Sequence, residues 1–163
     1  MGRERMLLQQ INADLISTNM PQLLNTIPMN FFQKKTDLCQ TQKQVFFADD
    51  EPIICELLSL FLDHLGFSSQ SAANGKELIR HIQDSGTDTI GLLITDLVMP
   101  EMGGLELASK IRQLQPKAKI LFISGCADDK TILGNRLNKD TAFLRKPFKF
   151  ESFKAKLEEL VAA

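Results

Sequence analysis

The sequence predicts an α/β protein of three layers, in which helices cover both faces of a doubly wound, five-stranded parallel sheet. Three observations predict this fold. After residue 44, short apolar runs alternate five times with segments whose apolar residues recur at helical spacing. Some runs, such as residues 91–94, are apolar throughout, which is typical of parallel strands covered on both faces. Glycine, proline and Asn-Gly signals separate the segments, and right-handed crossovers leave few ways to wind such a sheet.

The first half of this region supplies two strands and two helices. A buried strand is predicted over residues 45–48. Pro52 can begin a helix, because the apolar residues that follow keep helical spacing until Gly66 stops it. Residues 67–72 predict a weaker strand, and an Asn-Gly turn then leads into a second helix that carries Leu78, Ile79 and Ile82.

The second half supplies three more strands and three helices. The apolar runs predict strands over residues 90–95, 119–123 and 142–145. Helical spacing predicts helices over residues 105–114, about 128–138 and 151–161. The middle helix is the least periodic of the three, so we expect it to be short.

Residues 1–44 are predicted to be an N-terminal extension to a domain of residues 45–163. The extension holds five Lys/Arg against three Asp/Glu, whereas the remainder holds fourteen against seventeen. Pro21 and Pro28 interrupt any long helix in it, although apolar residues recur at helical spacing over residues 4–17. A solvated linker and a short amphipathic helix for docking or dimerisation both remain open.

Composition and charge argue against several classes of protein. The formal net charge is −1, whereas a general nucleic-acid binder usually shows a strongly basic face. No apolar run approaches the roughly 18 residues of a membrane span. The three cysteines have no CxxC spacing, which argues against a disulfide scaffold or a zinc site. We therefore expect a cytoplasmic protein that neither contacts nucleic acid directly nor inserts into a membrane.

Polar residues with phosphoryl-transfer chemistry follow or end four of the predicted strands. Asp49 and Asp50 come after the first strand, Asp96 after the third, Ser124 after the fourth and Lys146 after the fifth. Sites in doubly wound sheets lie at these carboxyl ends. An aspartate can act as a nucleophile, an acidic pair can help to hold Mg²⁺, and a lysine with a hydroxyl group can bind phosphoryl oxygens.

Four motifs carry a resemblance to a known family. They are VFFADDE, LLITDLVMPEMGGLEL, LFISG and FLRKPF, in this order along the chain. Residues 45–161 resemble the receiver domain of two-component response regulators, of the chemotaxis-regulator type. Within it, residues 130–148 are closer to receivers at the ends of hybrid histidine kinases. The resemblance implies a flavodoxin-like sheet with the strand order 2-1-3-4-5.

The resemblance also implies the role of each site residue. Asp96 would accept a phosphoryl group from the phosphohistidine of a histidine kinase or phosphotransfer protein. Asp49, Asp50 and Asp96 would bind Mg²⁺, with Mn²⁺ as a substitute, together with the main-chain carbonyl of Val98. Lys146 would contact the phosphoryl group.

Signal output is implied by two further positions. Ser124 would move toward the phosphorylated aspartate, and Phe143 would be the aromatic switch residue. A cis peptide bond is implied between Lys146 and Pro147. The domain would then present a changed surface, formed by residues 128–161, to a downstream protein. It would catalyse its own phosphorylation and dephosphorylation without being an enzyme that acts on a separate substrate.

Two alternatives belong to other functional classes. A pseudo-receiver would fold in the same way and serve only for docking, but the intact acidic pair, Asp96 and Lys146 argue against it. A phosphatase of the haloacid dehalogenase type also uses an aspartate nucleophile with Mg²⁺. That family needs a DxD motif on its first strand, whereas the proposed nucleophile follows the third strand here.

Overall fold

A single parallel sheet of five strands forms the centre of the domain. The computed structural model describes residues 44–85, 90–126, 133–134 and 137–162. The strands are β1 (Gln44–Ala48), β2 (Ser69–Ala72), β3 (Ile90–Asp96), β4 (Lys119–Ser124) and β5 (Thr141–Arg145). They lie in the order β2-β1-β3-β4-β5, and all neighbouring strands are parallel. The predicted fold class and strand order are confirmed.

Four helices connect or follow these strands within the described ranges. They are α1 (Pro52–His64), α2 (Gly75–Ser85), α3 (Gly104–Leu114) and α4 (Phe150–Ala162). None of these helices is long and apolar enough to cross a membrane. The helix predicted at 128–138 falls largely outside the described residues, as does the N-terminal extension up to residue 43. Gln44, which the prediction assigned to the extension, is the first residue of β1.

The hydrophobic core has two parts, one on each face of the sheet. On one face Phe47 packs in a cluster with Phe61 of α1 and Phe153 of α4. On the other face Phe46 packs in a cluster that includes residues of α2 and α3, such as Leu107. Neighbouring residues of β1 therefore face opposite layers, and both are fully buried. This two-sided burial explains why the central strands are apolar throughout.

The start of β2 differs from the prediction because the end of α1 uses the preceding residues. The strand was predicted from residue 67, but it begins at Ser69. Phe67 instead donates its N–H to the carbonyl of Leu62 at 2.9 Å, and Gly66 adopts a positive φ of 82°. These are features of a helix that ends at a left-handed glycine. Phe67 is buried as part of the helix end rather than as a strand residue.

Candidate functional site

Three strands bring one lysine and two aspartates together at the carboxyl edge of the sheet. Asp49 follows β1, Asp96 is the last residue of β3, and Lys146 follows β5. The Lys146 Nζ lies 2.7 Å from Asp96 Oδ2 and 2.7 Å from Asp49 Oδ2. It also lies 3.0 Å from Glu51 Oε1. The structure therefore shares one ammonium group among three carboxylates.

Burial controls the charge balance of this cluster. Asp49 is only 1% exposed, and its burial raises the pKa of its carboxyl group, while the nearby Lys146 ammonium acts in the opposite direction. Burial alone would lower the pKa of Lys146. The hydrogen bonds and charges of the surrounding carboxylates outweigh that effect and raise the pKa above its ordinary value. Lys146 is therefore a permanent cation at physiological pH.

Main-chain groups fix the orientation of Asp96. Its Oδ1 accepts a hydrogen bond from the N–H of Val98 at 3.1 Å, which leaves Oδ2 on the side of Lys146. The loop after β3 returns against the strand end, where the N–H of Gly104 donates to the carbonyl of Leu97. A Cβ atom at Gly104 would collide with the carbonyl oxygen of Asp96. Only glycine allows α3 to begin this close to the carboxylate.

The carboxylates fit a divalent cation. One carboxylate oxygen from each of Asp49, Glu51 and Asp96 lies within 4.8 Å of the others. Within the described residues, the buried Oδ2 of Asp49 contacts the Lys146 ammonium at 2.7 Å but makes no hydrogen bond of good geometry. Hard cations such as Mg²⁺ bind to oxygen ligands of this kind. An additional cation would satisfy both the lone pair of Asp49 and the excess negative charge.

The two residues of the predicted acidic pair have different surroundings in the structure. Asp49 lies in the cluster, whereas Asp50 is exposed and is not in the group of three carboxylates. Glu51, which the sequence did not single out, lies in this group of carboxylates and contacts Lys146. Its position as the third acidic residue in succession after β1 was the signal that could have identified it. Metal binding by Asp49, Asp50, Asp96 and the Val98 carbonyl stays a prediction.

Ser124 lies beside the cluster at the end of β4. It is 4% exposed, and its Oγ accepts a hydrogen bond from the N–H of Cys126 at 3.4 Å. Its carbonyl accepts the N–H of Lys146 at 2.8 Å, so the two predicted site residues are joined through the main chain. The peptide bond between Lys146 and Pro147 is cis, as the resemblance implied.

Phe143 occupies the middle of the edge strand β5. It is paired in register with Phe122 of β4 and is partly buried. Its side chain packs against the core cluster that contains Phe122 and Leu133. Because β4 pairs with β5, a movement of Ser124 at the end of β4 would act on the strand next to the one that carries Phe143.

Comparison with known proteins agrees with the geometry. The profile of the response regulator receiver domain matches residues 45–158. The transcriptional regulatory protein CrdR of Helicobacter pylori is 31% identical over 119 residues, which are 72% of this chain and 54% of CrdR. The receiver protein CpdR of Brucella abortus is 30% identical over 121 residues, 74% of this chain and 98% of CpdR. The chain thus spans about half of CrdR and nearly all of CpdR.

A solved structure shows the same architecture. The crystal structure of the response regulator TrrA from Thermotoga maritima, in complex with Mg²⁺–BeF, is 32% identical and matches with a TM-score of 0.61. The match covers 73% of this chain and 99% of TrrA. With the profile match over most of the chain, the sheet order and the carboxyl-edge cluster, the chain belongs to the family of response regulator receiver domains.

Proposed function

We propose that this chain is a phosphoacceptor switch of a two-component phosphorelay, with Asp96 as the acceptor. The observation that supports this most is the contact of the Lys146 ammonium with the oxygens of Asp96 and Asp49, both at 2.7 Å. A nucleophilic carboxylate beside a fixed cation is suited to receive a phosphoryl group, because the cation stabilises the negative charge of the transferred oxygens.

The reaction proposed is a displacement at phosphorus. A carboxylate oxygen of Asp96 forms a bond to the phosphorus while the bond from phosphorus to the donor nitrogen of a phosphohistidine breaks. The histidine nitrogen keeps the electron pair and takes a proton from solvent. Hydrolysis of the aspartyl phosphate by water later returns the free carboxylate and inorganic phosphate. A histidine kinase or a phosphotransfer protein is the proposed donor.

Mg²⁺ is the proposed cofactor, with Mn²⁺ as a substitute. Asp49, Asp50 and Asp96, with the Val98 carbonyl, are the proposed ligands. With Lys146, these three carboxylates leave a formal charge that one divalent cation would cancel. When bound, the metal would supply charge neutralisation for the phosphoryl oxygens. Support comes from the buried Oδ2 of Asp49, which has to share the Lys146 ammonium with Asp96.

The test is incubation with acetyl phosphate and Mg²⁺, followed by intact mass measurement and mapping of the modified residue. We expect one phosphoryl group on Asp96, and none in the presence of a chelator or in Asp96→Asn. Asp84→Asn is a matched control, since Asp84 is an exposed aspartate on α2. It should be phosphorylated like the wild type.

Other outcomes would contradict the proposal. A stable adduct on Ser124 or on a histidine that forms without Mg²⁺ would assign different chemistry. A folded protein that binds Mg²⁺ but never acquires a phosphoryl group from acetyl phosphate or from a phosphohistidine donor would be a docking pseudo-receiver.

A further inference from the structure

Glu51 differs from the other two carboxylates that contact Lys146. The side chains of Asp49 and Asp96 are 1% and 10% exposed, whereas that of Glu51 is 57% exposed. Asp49 and Asp96 also accept main-chain hydrogen bonds through Oδ1, from Glu51 and Val98 respectively. The two aspartates are therefore fixed. Because the Glu51 carboxylate is exposed to water, its ion pair with Lys146 is weaker than the two contacts of the buried aspartates.

The backbone of Glu51 explains why its side chain extends toward the site. Glu51 is the N-cap residue of α1, and its carbonyl accepts hydrogen bonds from Ile54 and Cys55. Its side chain makes no capping hydrogen bond to the helix. The carboxylate instead reaches Lys146, which is 95 residues away in sequence. The residue thus places a negative charge at the solvent side of the cluster.

We propose that Glu51 is the carboxylate that an incoming phosphoryl group displaces from Lys146, and that it selects against highly charged phosphoryl donors. This inference rests on the proposed function of Asp96. Phosphoryl oxygens that approach Asp96 from solvent compete with Glu51 for the same ammonium group. The negative charge of Glu51 also repels the donor, and a dianionic donor is repelled more than a monoanionic one.

The experiment compares two small donors of different charge at neutral pH, dianionic acetyl phosphate and monoanionic phosphoramidate. Rates of phosphorylation are measured for the wild type, Glu51→Gln and Glu159→Gln. Glu159 is a matched control because it is 68% exposed and paired with a lysine on α4. Glu159 also lies about 13 Å along α4 from Phe150, the first residue of that helix, so it is far from the helix start that follows Lys146. A titration of melting temperature with Mg²⁺ first establishes a saturating metal concentration for each variant.

We expect Glu51→Gln to accelerate the reaction with acetyl phosphate about threefold and that with phosphoramidate about 1.7-fold, because the monoanion feels half the repulsion. The difference should disappear at about 1 M salt, where charges are screened over a few ångströms. Glu159→Gln should match the wild type with both donors. The affinity for Mg²⁺ in the melting titration should fall only a few-fold in Glu51→Gln, because an exposed charge is lost rather than a ligand, and the saturating metal concentration keeps the rates comparable.

Several outcomes would overturn the inference. Equal changes with both donors, slower reactions, or the same changes in Glu159→Gln would show that Glu51 does not discriminate donors by charge. A large loss of Mg²⁺ affinity would make Glu51 a metal ligand instead. Failure of the proposed function looks different, because then neither donor would modify Asp96 in the wild-type protein.

Discussion

At the scale of single residues, the site holds excess negative charge around one lysine. Asp49 and Asp96 both contact the Lys146 ammonium at 2.7 Å, so among the described residues these two buried carboxylates share one positive charge. Two carboxylates about 5 Å apart repel each other by roughly 3 kcal/mol at an effective dielectric of 20. The raised pKa of Asp49 is the expected result of burial, with a smaller contribution from the charge of Asp96. The metal-free site is therefore less stable than it would be with a neutral side chain.

Replacement of Asp49 by asparagine tests this directly. The amide keeps the size of the side chain and removes a buried charge, while Lys146 retains Asp96 and Glu51 as partners. We expect Asp49→Asn to raise the free energy of unfolding in a chelator by about 1 kcal/mol, or the melting temperature by about 3 °C. The stabilisation by Mg²⁺ should be lost, because one of the proposed ligands is missing.

Asp63→Asn provides the control for this experiment, since Asp63 is an exposed aspartate on α1. It should leave both the melting temperature in chelator and the response to Mg²⁺ near the wild-type values. If Asp49→Asn melted lower in chelator and kept its response to Mg²⁺, the account of charge repulsion and metal binding would be wrong.

Sequence reasoning identified the positions of the site better than its contacts. Asp49, Asp96, Ser124 and Lys146 could be predicted because the carboxyl ends of parallel strands gather at one edge. The run of three acidic residues marks Glu51 as a candidate, but its contact with Lys146 could not be predicted, because the contact depends on the rotamers of two long side chains. Hydrophobic periodicity carries no information about such rotamers.

At the scale of elements, a polar cluster at the other end of β5 fixes this edge strand. Arg112 of α3 donates through Nη2 to Thr141 Oγ1 at 2.5 Å and to the carbonyl of Asp140 at 3.2 Å. Lys119 of β4 donates to Asp140 Oδ1 at 2.8 Å, and the N–H of Ile120 donates to the Asp140 carbonyl. The cluster anchors the start of the strand whose end delivers Lys146 to the site.

Removal of the Arg112 guanidinium should therefore loosen β5. Thr141 is only 3% exposed, so its hydroxyl group would lose a partner that water cannot easily replace. We expect Arg112→Met to lower the free energy of unfolding by about 1–2 kcal/mol in urea titrations. The next residue, Gln113, is exposed and offers a control. Gln113→Met should change the free energy of unfolding by less than about 0.5 kcal/mol. Equal effects of both substitutions would show that the cluster does not stabilise the strand.

Element boundaries were predictable to within about two residues, and the differences have local causes. The prediction placed Phe67 in a strand because it is apolar and precedes alternating residues. Its hydrogen bond to the carbonyl of Leu62 depends on the left-handed conformation of Gly66. Gly66 lies two residues after the last helical residue of α1, and it turns the chain back toward the helix end. A glycine signals where a helix stops, but it does not specify how many following residues the helix end will use.

At the scale of the whole molecule, the sheet connects the site with the surface proposed for output. Alternation of strands and helices predicted the parallel sheet, whereas the strand order came from the resemblance, since periodicity does not order strands. That order places β4 and β5 side by side at one edge. Ser124 ends the first of these strands, and Phe143 lies in the second, opposite Phe122. A change at Ser124 can thus reach the edge of the domain through one strand pair.

The resulting prediction concerns hydrogen exchange after addition of Mg²⁺ and beryllofluoride, a mimic of the phosphoryl group. A group on Asp96 that draws Ser124 inward would change the space available to the half-buried Phe143. We expect exchange to change chiefly over residues 125–150, part of which lies outside the described ranges. Moving a switch from 1:99 to 99:1 takes about 5.5 kcal/mol. Several charge-assisted hydrogen bonds to the phosphoryl oxygens can supply free energy of this order.

Two variants separate the switch from the chemistry in this experiment. Ser124→Ala and Phe143→Ala should both reduce the exchange changes over residues 125–150, while mass measurement still detects phosphorylation of Asp96. Ser124→Ala removes the hydroxyl group that would contact the phosphoryl oxygens, and Phe143→Ala removes the ring that would respond to it. Changes confined to the loops at residues 49–52 and 96–104 would contradict the switch. The domain would then act as a passive carrier of phosphoryl groups, because no signal would leave the site.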